Sequence, residues 1–334
     1  MPPSCWSSCR DGRLDVDELV AGALAGDRTA LGRAITLVES TRPDDRRLAQ
    51  EVLSALLPHA GGAHRVGISG VPGSGKSTLI DALGTRLTGA GRRVGVLAVD
   101  PSSTITGGSI LGDKTRMARL ATDENAFIRP SPSAGTLGGV TSTTPNAITV
   151  LEAAGYDVVL VETVGVGQSE AAVHASVDCL CVLTLAGAGD ELQAVKRGLL
   201  EVADVLAVNK ADGGNEKSAR LAAAELRRAL PLLAPTSEDT PVPVMTVSAT
   251  TGAGVDELWE CIVEHRRRLE ATGGLARRRA RGRLAWMQVL LERGLLEQFE
   301  SRPGLAGRRA DLEKAVEQGE ITPEAAVDQL LTLS

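Results

Sequence analysis

The chain has 334 residues, enough for one α/β domain of about 200 residues with additions at its ends. Hydrophobic residues make up 43% and charged residues 23%, ordinary for a globular protein, and a formal net charge of −6 argues against an overall nucleic-acid binder, which needs a strong positive field. No run reaches 18 apolar residues and no apolar stretch opens the chain, so neither a membrane contact nor export is expected, and a cytoplasmic location is the default.

Residues 1–12 read as disordered. Val16, Leu19, Val20, Ala23 and Leu24 then recur at helical spacing, as do Leu31, Ala34, Leu37 and Val38, and Leu48, Val52, Leu53 and Leu56. This predicts a helical N-terminal extension over residues 1–60. From Arg65 to about 270, short apolar runs alternate with helical stretches: Val66–Ser69, Val94–Val99, Val158–Val161, Leu180–Leu185, Val205–Val208 and Val244–Val247. Near-continuous apolar strands belong to parallel sheets covered on both faces, so the middle of the chain, residues 61–270, reads as a doubly wound, mostly parallel α/β domain. Its ligands are expected beyond the carboxyl ends of the strands.

Of the five cysteines, Cys179 and Cys181 fall on one face of a buried strand as reduced core thiols, while Cys5 and Cys9 lack partners for a zinc site. After Thr272-Gly273-Gly274 a long helix over 275–300 carries Leu284, Met287, Leu291, Leu295 and Phe299. Helices over about 307–318 and 323–332 follow, with Thr322 as N-cap before Pro323. This arm, residues 271–334, has few ways to bury its apolar side alone and points to a homodimer. The basic run Arg277-Arg278-Arg279 reads as a solvated helix face, and His174 and His265 as surface or helix-face residues without chemistry.

Gly70-Val71-Pro72-Gly73-Ser74-Gly75-Lys76-Ser77 matches G-x-x-x-x-G-K-[ST] between a strand and a helix that continues through Thr78. Such glycines let backbone N–H groups wrap phosphates, and the helix N-terminus favours an anion. Lys76 is expected on the β and γ phosphates and the Ser77 hydroxyl on Mg²⁺. Asp100 and Glu162, each ending an apolar run, are candidates for the metal's carboxylate. Glu162-Thr163-Val164-Gly165 stands where regulatory GTPases carry Asp-x-x-Gly, which makes the Gly165 N–H a candidate γ-phosphate sensor. Gln168 is a candidate for positioning the attacking water or for capping the next helix. Asp113 and Lys114 are candidates for reaching the γ phosphate or for a surface pair.

Asn209-Lys210-Ala211-Asp212 supplies base recognition. The Asp212 carboxylate can accept both hydrogens of the guanine N1 and N2 edge, whereas adenine offers an acceptor at N1. Lys210 can lie over the base, and Ser248-Ala249 can offer the Ala249 N–H to guanine O6. GTP and GDP are therefore the expected nucleotides, and GTP hydrolysis the expected reaction.

These residues, together with Val99 to Ser103, Gly107 to Met117, Arg129 to Pro132, Val161 to Glu170 and Gly187 to Gln193, closely resemble the MeaB/ArgK (MMAA-like) family of P-loop GTPases. The resemblance runs from about Leu19 to Trp286. It implies a P-loop GTPase with a helical N-terminal extension, and a C-terminal dimerisation arm. It also implies a chaperone that gates cofactor delivery to an adenosylcobalamin-dependent acyl-CoA mutase, methylmalonyl-CoA mutase or a relative, and protects or reactivates it. Loops after Asp100 and Glu162, and around Gly187 to Lys196, would relay nucleotide state, with Gln193 and Lys196 as coupling candidates. Two departures stand out: Thr143-Thr144-Pro145-Asn146 where the family usually has Lys-Thr-Arg-Glu, and Ala186 where it tends to have Pro. They leave the identity of the mutase open. The alternatives are a metal-insertion GTPase and a GTP-binding adaptor without turnover.

Overall fold

The computed structural model describes residues 15–40, 42–100, 117–132, 143–163, 170–186, 197–233 and 241–332. The expected disordered stretch 1–12, Asp113, Lys114, Gly165, Gln168, Gln193 and Lys196 lie outside them. The chain divides into two compact units, one up to Gly282 and one from Arg283.

Three helices open the first unit: α1 (Val16–Leu24), α2 (Arg28–Glu39) and α3 (Pro43–Leu56). Asp15 caps α1, accepting from the Asp17 and Glu18 amides, and Asp27 caps α2 by accepting from the Ala30 amide at 2.6 Å. Pro43 starts α3, where its missing N–H costs no helix bond. Their apolar stripes bury Leu19, Leu31, Ile35, Val52 and Leu56. α2 and α3 pack on α5 (Thr144–Ala153).

Seven parallel strands follow: β1 (His64–Gly70), β2 (Val94–Asp100), β3 (Ala126–Pro132), β4 (Val158–Glu162), β5 (Cys179–Leu185), β6 (Val205–Asn209) and β7 (Val244–Thr246). Their order is β3-β2-β4-β1-β5-β6-β7. β1 thus stands where the winding reverses, which places a ligand crevice at its carboxyl end. α4 (Lys76–Gly89), α6 (Glu170–Ser176), α7 (Arg197–Val202), α8 (Glu216–Leu233) and α9 (Val255–Ala271) complete the layers. One core cluster joins the N-terminal helices, α5, α6 and α8 to one face; the other joins α4 and α9 to the opposite face. Cys179 and Cys181 are buried free thiols in the second cluster, as expected.

Strand β3 has no counterpart among the expected apolar runs. It reads Ala-Phe-Ile-Arg-Pro-Ser-Pro and pairs only with β2, so it is an edge strand, where prolines and polar residues are tolerated.

Of the basic run expected as a solvated face, Arg277 is exposed, but Arg278 and Arg279 are not. α10 (Gly274–Glu300) begins under the amino ends of the strands. There Arg278 grips Asp204 through two bonds of 2.9 and 2.6 Å, and Arg279 grips Asp178 through two of 2.7 Å. Arg279 also donates to the carbonyls of Gly61 and Ala63. The four side chains are only 3–17% exposed. Asp178 and Asp204 immediately precede β5 and β6, so the two arginines tie α10 to the sheet's amino edge.

The second unit contains the rest of α10, α11 (Leu305–Glu317) and α12 (Pro323–Leu331). Thr322 caps α12 as expected, accepting from the Ala325 amide at 3.2 Å. Leu284, Met287, Leu291 and Leu295 are all exposed along α10.

Candidate functional site

The carboxyl end of β1 runs into α4 through the glycine-rich loop. Gly70 has φ +141°, and a Cβ there would collide with the Leu183 carbonyl of β5, so only glycine lets the loop leave the strand this close to its neighbour. Gly75 sits in the left-handed region (φ +89°) as the cap of α4, and makes no side-chain cap bond to the helix's first turn. An anion can therefore take the amides of that turn. The Ser74 hydroxyl is fully buried without a hydrogen-bond partner among the described residues, and its place in the loop suits a phosphate oxygen. Lys76 is buried, and its ammonium donates to the carbonyls of Gly70 at 2.7 Å and Val71 at 3.2 Å. Val71 is half-buried, while Pro72, Gly73 and Thr78 are exposed around the same turn.

The metal candidates separate. Ser77 Oγ donates to Glu162 Oε1 at 2.8 Å. Cis oxygens around an octahedral Mg²⁺ with 2.0–2.1 Å bonds lie about 2.9 Å apart, so this pair matches one edge of that shell. Asp100 ends β2, two strands from β1, and its side chain lies outside the described residues. Glu162 is held from behind: the Thr163 amide donates to the Ile68 carbonyl, and the Thr163 hydroxyl to Ser69 Oγ at 2.9 Å. The sequence reading did not find Ser69 or Thr163 in this role, since a buried hydroxyl pair has no sequence signature.

The base motif is fastened to the phosphate loop. Asn209 Nδ2 donates to the Ser74 carbonyl at 2.7 Å, and Asn209 Oδ1 accepts from the Ala249 amide at 3.2 Å. Asn209 thus bridges the phosphate loop to the segment expected at guanine O6. The Ser248 hydroxyl donates to Asp212 Oδ2 and accepts from the Thr251 amide, which fixes the carboxylate's direction. Lys210 adopts φ +59°, the sole left-handed non-glycine residue among those described, and Asn215 Nδ2 donates to its carbonyl at 3.0 Å. This kink turns the motif out of β6. Of the expected site residues within the described set, the loop, Ser77, Glu162, Asn209, Lys210, Asp212, Ser248 and Ala249 all gather at the carboxyl edge. Asp113, Gly165 and Gln168 lie outside that set.

A second polar group occupies the opposite edge. Ligand atoms of Cys179, Asp204 and His265 lie within 4.8 Å of one another. Burial pushes the Cys179 thiol well above its usual range, which keeps it protonated. Burial would also raise the Asp204 carboxyl, but the paired Arg278 guanidinium more than offsets this and holds it low. A cation here would have to compete with Arg278, so the group is packing chemistry and lends no support to metal insertion. His265 is 12% exposed, with burial lowering its pKa first; of the two expected readings, surface or helix face, it is a helix-face residue of α9 turned inward.

The chain is similar to known proteins along nearly its whole length. The family model described as methylmalonyl Co-A mutase-associated GTPase MeaB matches residues 31–303. Probable GTPase Rv1496 of Mycobacterium tuberculosis is 54% identical over 319 residues, covering 96% of this chain and 95% of that protein. The methylmalonic aciduria type A homolog, mitochondrial, of Mus musculus is 45% identical over 326 residues, covering 95% of this chain and 79% of that protein. A solved structure described as an LAO/AO transport system kinase superposes with TM-score 0.73 at 34% identity, covering 94% of this chain and 96% of that one.

Proposed function

Since the chain belongs to the MeaB family and is a GTPase, we propose that its GTP cycle regulates an adenosylcobalamin-dependent acyl-CoA mutase, methylmalonyl-CoA mutase or a relative. In this role it gates cofactor delivery to the mutase and protects or reactivates it. The observation that carries the reading is the match to a mutase-associated GTPase family over residues 31–303, which extends beyond the nucleotide-binding core into both helical flanks.

The chemistry follows from positions rather than from a dedicated base. Phosphoryl transfer needs in-line placement and neutralisation of charge on the γ-phosphoryl oxygens. Backbone amides of Gly73 to Ser77 cradle the phosphates, and Lys76 swings from the loop carbonyls to the β and γ oxygens. Ser77 and Glu162 would hold Mg²⁺, with Asp100 as the further carboxylate, and the bound ion would supply neutralisation of the charge developing on the phosphates. Asp212 accepts from guanine N1 and N2, the Ala249 N–H, which donates to Asn209 Oδ1 at 3.2 Å, is shared with O6 when the base is bound, and Lys210 covers the base. Gly165 senses the γ phosphate, Gln168 orients the water, and Asp113 reaches the γ phosphate. The exposed row Leu284, Met287, Leu291 and Leu295 supports a homodimer through the C-terminal arm. A cytoplasmic setting fits a chain in which no described helix is long and apolar enough to cross a membrane.

The test is phosphate release from GTP, with and without purified cobalamin-dependent mutases from the same genome. A rise of tenfold or more with one mutase is expected. Slow basal turnover unchanged by every mutase would sink the client assignment while leaving the GTPase.

A further inference from the structure

Helix α6 stands in the chain after the residues expected at the γ phosphate and meets α10 at its far end. Its first residue, Glu170, follows residues 164–169, which carry Gly165 and Gln168. Its middle is seated on β1: Val173 is fully buried, and a Cβ on Gly67 would come within 2.9 Å of it. Gly67 lies three residues before Gly70 of the phosphate loop.

The far end of α6 meets α10. A Cβ built on Gly282 would collide with the Ala175 carbonyl oxygen, so the α10 backbone lies directly on the last turn of α6. One step further, Arg278 Nε donates to the Val177 carbonyl at 3.1 Å while its terminal nitrogens hold Asp204. Glycine inside a helix is unfavourable against alanine. Gly294, in the same helix, shows the contrast, because a Cβ there meets nothing within 4 Å. Gly282 is therefore kept by the close approach, not by the helix.

Seven helical residues span about 10 Å. α6 is thus a short rod running from the phosphate end of the sheet towards its amino edge. At Gly282 its contact with α10 is backbone on backbone. Packed contacts of this kind shift or break; they do not stretch.

We propose that α6 is a strut that reports the γ-phosphate position to the root of α10, residues 274–282, with Gly282 as the contact and Arg278 as its brace. The proposal rests on the reading of Gly165 as γ-phosphate sensor. Coupling of this kind is reciprocal, so loosening the root must change how well the protein tells GTP from GDP.

Amide hydrogen exchange on the full chain with Mg²⁺ tests this, comparing GDP with a non-hydrolysable GTP analogue. In the unmutated protein, peptides over 164–169, 170–177 and 274–282 should all exchange differently with the two nucleotides. In Gly282→Ala the difference should persist over 164–169 and vanish over 274–282. The ratio of analogue to GDP affinity should move by about fivefold or more, the low end of ordinary couplings. Gly294→Ala should behave as the unmutated protein. Identical exchange at 274–282 with both nucleotides, while 164–169 responds, overturns the strut. So does a nucleotide difference at 274–282 that survives in Gly282→Ala. Silence at 164–169 itself refutes the sensor reading of Gly165 and removes the strut's input. The unmutated comparison decides the matter even if Gly282→Ala does not fold.

Discussion

Replacing Asp212 by asparagine should exchange guanine for xanthine. The Asp212 carboxylate is fixed by the Ser248 hydroxyl, and Ser248 is fixed by the Thr251 amide. An asparagine can keep this arrangement, because the hydroxyl can bond either its oxygen or its amide. The fold should therefore survive. The base loses two charge-assisted hydrogen bonds of about 1.5–3 kcal/mol each and keeps one neutral bond of about 1 kcal/mol. The asparagine amide then faces the guanine N2 amine, donor against donor, which adds about 1 kcal/mol or more. The net loss is about 3–6 kcal/mol, or roughly 10²–10⁴-fold in GTP affinity. Xanthine carries an acceptor at position 2 in place of the amine and keeps the N1 hydrogen, so the same asparagine can both accept and donate. XTP should recover most of the loss. Competition of GTP and XTP against a fluorescent nucleotide measures both effects. A loss of GTP affinity below threefold, with no gain for XTP, would refute the placement of the base at Asp212.

Three further outcomes are expected. Gly75→Ala puts a Cβ 2.6 Å from Asn209 Nδ2, and its left-handed backbone adds strain, so nucleotide affinity should fall at least tenfold by titration with both GTP and GDP. Arg279→Met leaves Asp178 buried without its guanidinium and frees the Gly61 and Ala63 carbonyls; chemical denaturation should show a loss of about 3–5 kcal/mol, part of it restored by adding Asp178→Asn. His64 is held down to a pKa of about 4, first by burial and then by Arg266 and Arg92. The folded state thus resists a proton that the unfolded chain accepts below about 6.5, so stability is full above that pH and is lost as the pH falls towards 4. Allowing for screening at a half-buried ring, denaturation midpoints should report a loss of about 1–2 kcal/mol across that window, removed in His64→Phe.

The amino-acid sequence alone determined six of the seven strands, the phosphate loop, the guanine motif and the helical flanks. Each is a local signal: a run of Val and Leu between turns, glycines at fixed spacing before Lys76-Ser77, or a capping Thr322 before Pro323. Tertiary structure decided what depends on distant partners. β3, with Pro130 and Pro132, is a strand because it has only the β2 neighbour to satisfy. Arg278 and Arg279 look solvated in a basic run and become clamps because Asp178 and Asp204 stand at the feet of β5 and β6. Asn209 reads as a base ligand in sequence, and only the fold makes it the tie between Ser74 and Ala249. Ser77 and Glu162 are 85 residues apart in the chain and 2.8 Å apart in space. A charge or an amide finds its role through a partner, and parallel strands joined by long crossovers bring partners together that no spacing in the sequence reveals.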